Sequence, residues 1–109
     1  MVITDRDNAL SLRVLFTIQS HSRINPIKSR EIEQLYGITG SEVRNLVRSY
    51  LRQGNLIAHC GGAVPGYYLA KDWSEFESSY NDLKSRAMSM LETVNHVAKL
   101  HGVSDTLFA

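Results

Sequence analysis

From Trp73 to Leu100 the chain runs without a glycine or proline, and its apolar residues recur at Trp73, Phe76, Tyr80, Leu83, Ala87, Met90, Val94 and Val97. This alternation of three and four, sustained for about three and a half heptads, is the seam of a coiled coil rather than the broad stripe of a surface helix. Asp72 and Glu75 form a capping box in front of it, which predicts a helix starting at Trp73. At 1.5 Å per residue such a helix is about 42 Å long, more than a domain of this size can cover by itself. Part of the seam therefore needs a partner. Trp73 and Phe76 are expected to pack back onto the preceding residues. Leu83, Ala87, Met90, Leu91, Val94 and Val97 are expected to pair with another copy in a two-fold dimer, with Leu91 and Ala98 widening the distal face. The alternative is an amphipathic helix folded across the first helix of a monomer. A seam that mixes Trp, Tyr, Ala, Val, Phe, Leu and Met does not choose between two helices and four.

The chain before this helix centres on residues 29–53. Thr39 followed by Glu42 is a second capping box, which predicts a helix from Gly40. Behind it Val43, Leu46, Val47, Tyr50 and Leu51 share one face. Ser41, Asn45, Arg48 and Arg52 lie opposite, with Arg44 on the flank. Guanidinium forks match guanine edges and phosphate oxygens, and asparagine amides match adenine, so the outward face suits nucleic acid. A shorter helix precedes it, with Ser29 as N-cap, Glu31 and Glu33 near its start, and Ile32, Leu35 and Tyr36 as its buried stripe. Gly37 ends that helix and Ile38 plugs the angle between the two.

These residues resemble a helix-turn-helix of bacterial and phage regulators: Ile32, Tyr36, Gly37, Ile38, Val43 and Leu46 stand where that motif places its apolar residues and its turn glycine. Glu33 departs from the pattern, which usually has a small residue there, packed between the helices.

Upstream, Thr4 and Asp7 resemble a reciprocal cap. Leu10, Val14, Leu15 and Ile18 then set a core-facing stripe, broadened by Leu12 and Phe16, in a first helix ending near Ser20. Residues 21–26 form a polar connector, and Pro26 with Ile27 reads as a short extended piece. After Gln53, Gly54 is a natural helix terminator. Leu56, Ile57 and Ala58 make one candidate strand and Tyr67, Tyr68 and Leu69 another, joined across Gly61, Gly62, Pro65 and Gly66. The order helix, strand, helix, turn, helix, strand, loop, strand resembles the winged helix-turn-helix superfamily over residues 4–70. The expected fold is thus mainly α with a small β-hairpin wing: a winged helix-turn-helix domain over 1–71, a long C-terminal helix over 72–101 and a short tail over 102–109.

Members of that superfamily mostly bind DNA, with the third helix in the major groove. The resemblance implies a homodimer on double-stranded DNA, serving as a transcriptional regulator or a phage replication factor. Ser41, Asn45 and Arg48 would approach base edges, Lys28, Arg30, Arg44 and Arg52 would hold phosphates, and Ser29 and His59 would lie at the margin. The wing lacks the usual lysine or arginine, so its phosphate contacts would come from peptide N–H groups near His59, Gly61 and Gly62. Net charge is only +1, weak for a nucleic-acid binder, although the bases Arg23, Lys28, Arg30, Arg44, Arg48 and Arg52 cluster around the helix pair. The near-neutral charge and the apolar seam favour a competing reading, a winged helix that binds only proteins, such as a small phage inhibitor or a scaffold. RNA binding by the same fold is a third possibility.

No enzyme is expected, since nucleophile–base pairs, phosphate loops and paired carboxylates in apolar settings are all missing. No metal or other cofactor is expected either. His59 and Cys60 would point to opposite faces of a strand, and His96 and His101 are five apart on a helix. The tyrosines could stack on single-stranded bases, but Tyr36 and Tyr50 read as core, and at most one of Tyr67 and Tyr68 should face out. One cysteine, no apolar run of about 20 residues and no leader pattern point to a cytoplasmic protein with no membrane segment.

Overall fold

The computed structural model describes residues 5–60 and 65–103. The elements are α1 (Asp5–Gln19), α2 (Ser29–Tyr36), α3 (Gly40–Arg52), β1 (Ile57–Cys60), β2 (Gly66–Leu69) and α4 (Trp73–Leu100). The protein is mainly helical, with one small antiparallel hairpin and a long C-terminal helix. Two compact units are distinguished, Met1–Glu77 and Ser78–Ala109.

In the first unit the core is built from one face of each helix. Val14, Leu15 and Ile18 of α1 are buried against Ile32 of α2 and Val43, Val47 and Tyr50 of α3. Each such side chain contributes about 1.5–3 kcal/mol on burial. Leu12 and Phe16 do not broaden the α1 stripe: both are exposed, Phe16 by 64%. They stand on the far side of the helix from Ile18, where a 100° step per residue takes them beyond reach of the core. Leu35 departs in the same way at 64% exposure, so the buried stripe of α2 is Ile32, flanked by half-buried Tyr36.

Two tyrosine hydroxyls tie the helices to α1. Tyr50 Oη donates to the Ser11 carbonyl at 2.6 Å, and Tyr36 Oη to the Arg13 carbonyl at 3.3 Å while also meeting Thr17 Oγ1. A buried phenol keeps its apolar ring in the core only if its hydroxyl finds such a partner. Burial accordingly raises the Tyr50 phenol above its ordinary value.

Helix ends follow their signals closely. Thr39 Oγ1 accepts from the Glu42 amide at 3.2 Å, and Glu42 Oε1 from the Thr39 amide at 3.4 Å, so the predicted box opens α3. Gly37 closes α2 at φ 63°, ψ 38°. Past α3, the Gly54 amide reaches Leu51 O and the Asn55 amide reaches Tyr50 O, both at 3.0 Å, the paired bonds of a Schellman motif. Two caps differ from expectation. Lys28, not Ser29, is the N-cap of α2 and makes no side-chain cap bond; Ser29 is the first helical residue and its hydroxyl donates to Glu33 Oε2 at 3.1 Å. Asp72 Oδ1 accepts from the Glu75 amide at 3.0 Å, but the Glu75 carboxylate accepts from the Lys71 amide, one residue further back than a closed box requires. The Thr4 half of the first predicted cap, the hairpin loop 61–64 and the tail from 104 lie outside the described residues.

The hairpin pairs Ile57 with Leu69, Ala58 with Tyr68, His59 with Tyr67 and Cys60 with Gly66. The first strand is therefore one residue later than Leu56. On the other side of β2, Ile27 exchanges both backbone bonds with Tyr67, at 2.9 and 2.7 Å, so the extended piece after Pro26 is bridged to the hairpin at one residue. This close approach fixes Gly66. Its φ is +150°, and a Cβ there would stand 2.6 Å from Ile27 O and 2.8 Å from Ile27 C.

Both Tyr67 and Tyr68 are buried, because β2 is covered on both faces. Tyr67 joins the helical core, whereas Tyr68 packs in a second cluster with Ala58, Ala70 and Phe76. Phe76 thus packs back as expected. Trp73 is half exposed, its ring edge-on to Phe76 with centroids 5.5 Å apart.

Candidate nucleic-acid interface

With Val43, Val47 and Tyr50 turned inward, helical geometry places Ser41, Asn45, Arg48 and Arg52 on the outward face of α3, and all four are exposed. Among the described residues no hydrogen bond or ion pair engages the side chains of Asn45, Arg48 or Arg52, nor those of Lys28 and Arg30. Arg44 is held differently. Its Nη2 donates to Ser41 Oγ at 3.1 Å, one helical turn back.

Ser29, Glu33, Ser41 and Arg44 converge at the start of α3. A Cβ on Gly40 would sit 3.5 Å from Arg44 Nη1 and 3.6 Å from both Glu33 carboxylate oxygens. These are ordinary van der Waals distances, so the junction would accept a side chain at Gly40 beside the Glu33 carboxylate. Ser29, half-buried and bonded to that carboxylate, is the least available of the expected contacts. Glu33 and Gly40 are the residues of this cluster that the sequence reading did not include. The spacing Ser29–Glu33, i to i+4 on one face, was the available signal.

His59 is exposed on β1, its ring tilted 48° to that of Tyr67 at 4.9 Å. Tyr67 in turn bridges to Ile27, directly before Lys28, so His59 on β1 and Lys28 at the N-cap of α2 stand on either side of β2. The arrangement offers guanidinium and amide donors on one helix, with an imidazole on β1 and an ammonium at the start of α2. Donors of this kind serve phosphates and base edges.

The second unit carries the other expected surface. Leu83, Ala87, Met90, Val94 and Val97 are all exposed, Met90 by 70%, and Leu91 is half-buried. No described helix is long and apolar enough to cross a membrane. No known protein family, curated protein or solved structure matches the chain.

Proposed function

We propose that the chain is a homodimeric winged helix protein that binds double-stranded DNA, with α3 as the recognition helix and the distal face of α4 as the pairing surface. One observation carries the reading: α3 buries Val43, Val47 and Tyr50 on one face and presents on the other Asn45, Arg48 and Arg52, exposed and engaged by nothing else among the described residues. Side chains that spend nothing on their own domain are available for a ligand, and these match base edges and phosphates in chemistry. Ser41, Asn45 and Arg48 read bases in this scheme. Arg44, Arg52, Arg30 and Lys28 hold phosphates, and His59 borders the duplex from the hairpin. A two-fold protein predicts an inverted-repeat site with half-sites spaced by whole helical turns.

Fluorescence anisotropy with random-sequence duplex DNA across a salt series tests this directly. Binding that weakens steeply as salt rises is expected, because each neutralised phosphate releases counterions. No binding at low salt refutes the reading. The second reading, a module that binds only protein, is favoured by the exposed Leu12 and Phe16 on α1 and by the near-neutral charge. It predicts that same negative result.

A further inference from the structure

The exposed part of the seam on α4 runs from Tyr80 to Val97, and its side chains taper. Tyr80 and Leu83 stand at one end, Ala87 and Met90 in the middle, Val94 and Val97 at the other. A parallel pair would set each residue against itself. Its layers would then swing from two tyrosines to two alanines, too wide at one level and nearly empty at another.

An antiparallel pair centred between Met88 and Ser89 does the opposite. Tyr80 meets the partner's Val97, Leu83 meets the partner's Val94, and Ala87 meets the partner's Met90. Every layer then joins one larger and one smaller side chain, the condition for even packing without voids. This register is also the one that covers all six exposed layers, since it is centred on them.

Charge points the same way. The first third of α4, with the capping residue before it, carries Asp72, Glu75, Glu77 and Asp82 and no base, whereas the remainder carries Lys84, Arg86 and Lys99 against Glu92. Parallel pairing brings acid beside acid. In a parallel pair the positions flanking the seam would also offer no opposite charges, setting Arg86 beside the partner's Leu91 and Thr93 beside the partner's Ala98. Antiparallel pairing instead sets Glu77 and Asp82 of one helix across from residues 95–100 of the other, a stretch with Lys99 and no acid, and cancels the helix dipoles.

We infer that α4 pairs with α4 of a second copy in antiparallel orientation, with the two-fold axis passing between Met88 and Ser89. The inference rests on the reading that α4 joins two copies, but not on what α3 binds. It adds a dimension to that reading. Residue 77, where the first unit ends, lies about 11 residues from the axis, so the two such points are about 34 Å apart along the paired helices.

The test places spin labels on the full chain, in a Cys60→Ser background, at Ser78→Cys and separately at Ser89→Cys, both exposed. Pulsed electron–electron distances are read for each dimer. Antiparallel pairing predicts that the Ser78 labels are farther apart than the Ser89 labels by on the order of 15 Å. Equal distances at the two sites mean a parallel pair and overturn the inference. A chain that sediments as a monomer at every concentration overturns it as well. A dimer with the expected distances that fails to bind duplex DNA sinks the DNA reading and leaves the pairing intact.

Discussion

Replacing Gly66 with alanine should be the most damaging single-methyl change in the first unit. The added Cβ would meet the Ile27 carbonyl oxygen at 2.6 Å and its carbon at 2.8 Å, with Pro26 Cβ at 3.1 Å. Backbone atoms cannot swing aside as a side-chain tip can, so the strand must move. Movement breaks the paired bonds between Ile27 and Tyr67, worth about 1 kcal/mol each. The φ of +150° adds about 1–3 kcal/mol of strain for a residue bearing a side chain. The expected loss is therefore about 3–5 kcal/mol, a large share of the roughly 5–15 kcal/mol that holds a domain together. Gly37→Ala is the control. Its φ is +63° but no atom lies within 4 Å of the added Cβ, so only the left-handed strain of about 1–2 kcal/mol applies. Urea unfolding followed by far-ultraviolet circular dichroism measures both, the slope showing that the same surface is exposed. Equal costs for the two variants, or a Gly66→Ala loss below about 1 kcal/mol, would refute the close contact with Ile27.

Four further outcomes follow from the same geometry. Thr39→Ala removes the hydroxyl that caps α3 and should lower the unfolding free energy by about 1 kcal/mol in the same urea assay. Tyr50→Phe leaves the Ser11 carbonyl without its long-range donor and should cost about 0.5–1.5 kcal/mol; no change would mean that this bond contributes nothing. Burial raises the phenols of Tyr50 and Tyr68, so the folded chain keeps protons that the unfolded chain releases. Stability should be full below about pH 10 and fall as pH rises further, a decline that Tyr50→Phe should soften, read from urea midpoints. Arg48→Ala should weaken binding to a selected DNA site by about 1–3 kcal/mol and relax preference at one base pair, and an unchanged anisotropy titration and site selection would remove Arg48 from the interface.

What the sequence displayed plainly were features whose cause is local. Thr39, Glu42 and Gly37 set helix ends through bonds within a turn or two, and the run from Trp73 to Leu100 is one helix with those ends. The exposed arginines of α3 were legible for the same reason, since a single helix fixes which residues oppose Val43 and Val47. What escaped depends on neighbours distant in sequence. Tyr68 is buried because Phe76 and Ala70 cover the back of the hairpin, and no alternation within β2 announces that cover. Leu12, Phe16 and Leu35 look like core residues by type, but α1 and α2 are each packed on one side only. Ser29 resembles a cap, and its hydroxyl instead donates to the Glu33 carboxylate one helical turn on.

Phe76 and the residues proposed to pair two copies stand on one uninterrupted helix, at the three-and-four spacing of its apolar residues. Inserting one residue between Glu77 and Tyr80 would turn everything beyond it by about 100° while leaving the Phe76 cluster undisturbed. Such an insertion would fold normally and still present its seam in a new direction. A foreign pairing helix spliced in at that point, with its first seam residue four positions after Phe76, would keep the phase. Under the pairing proposed above, recombination at this junction would exchange the pairing helix without rebuilding the Phe76 cluster.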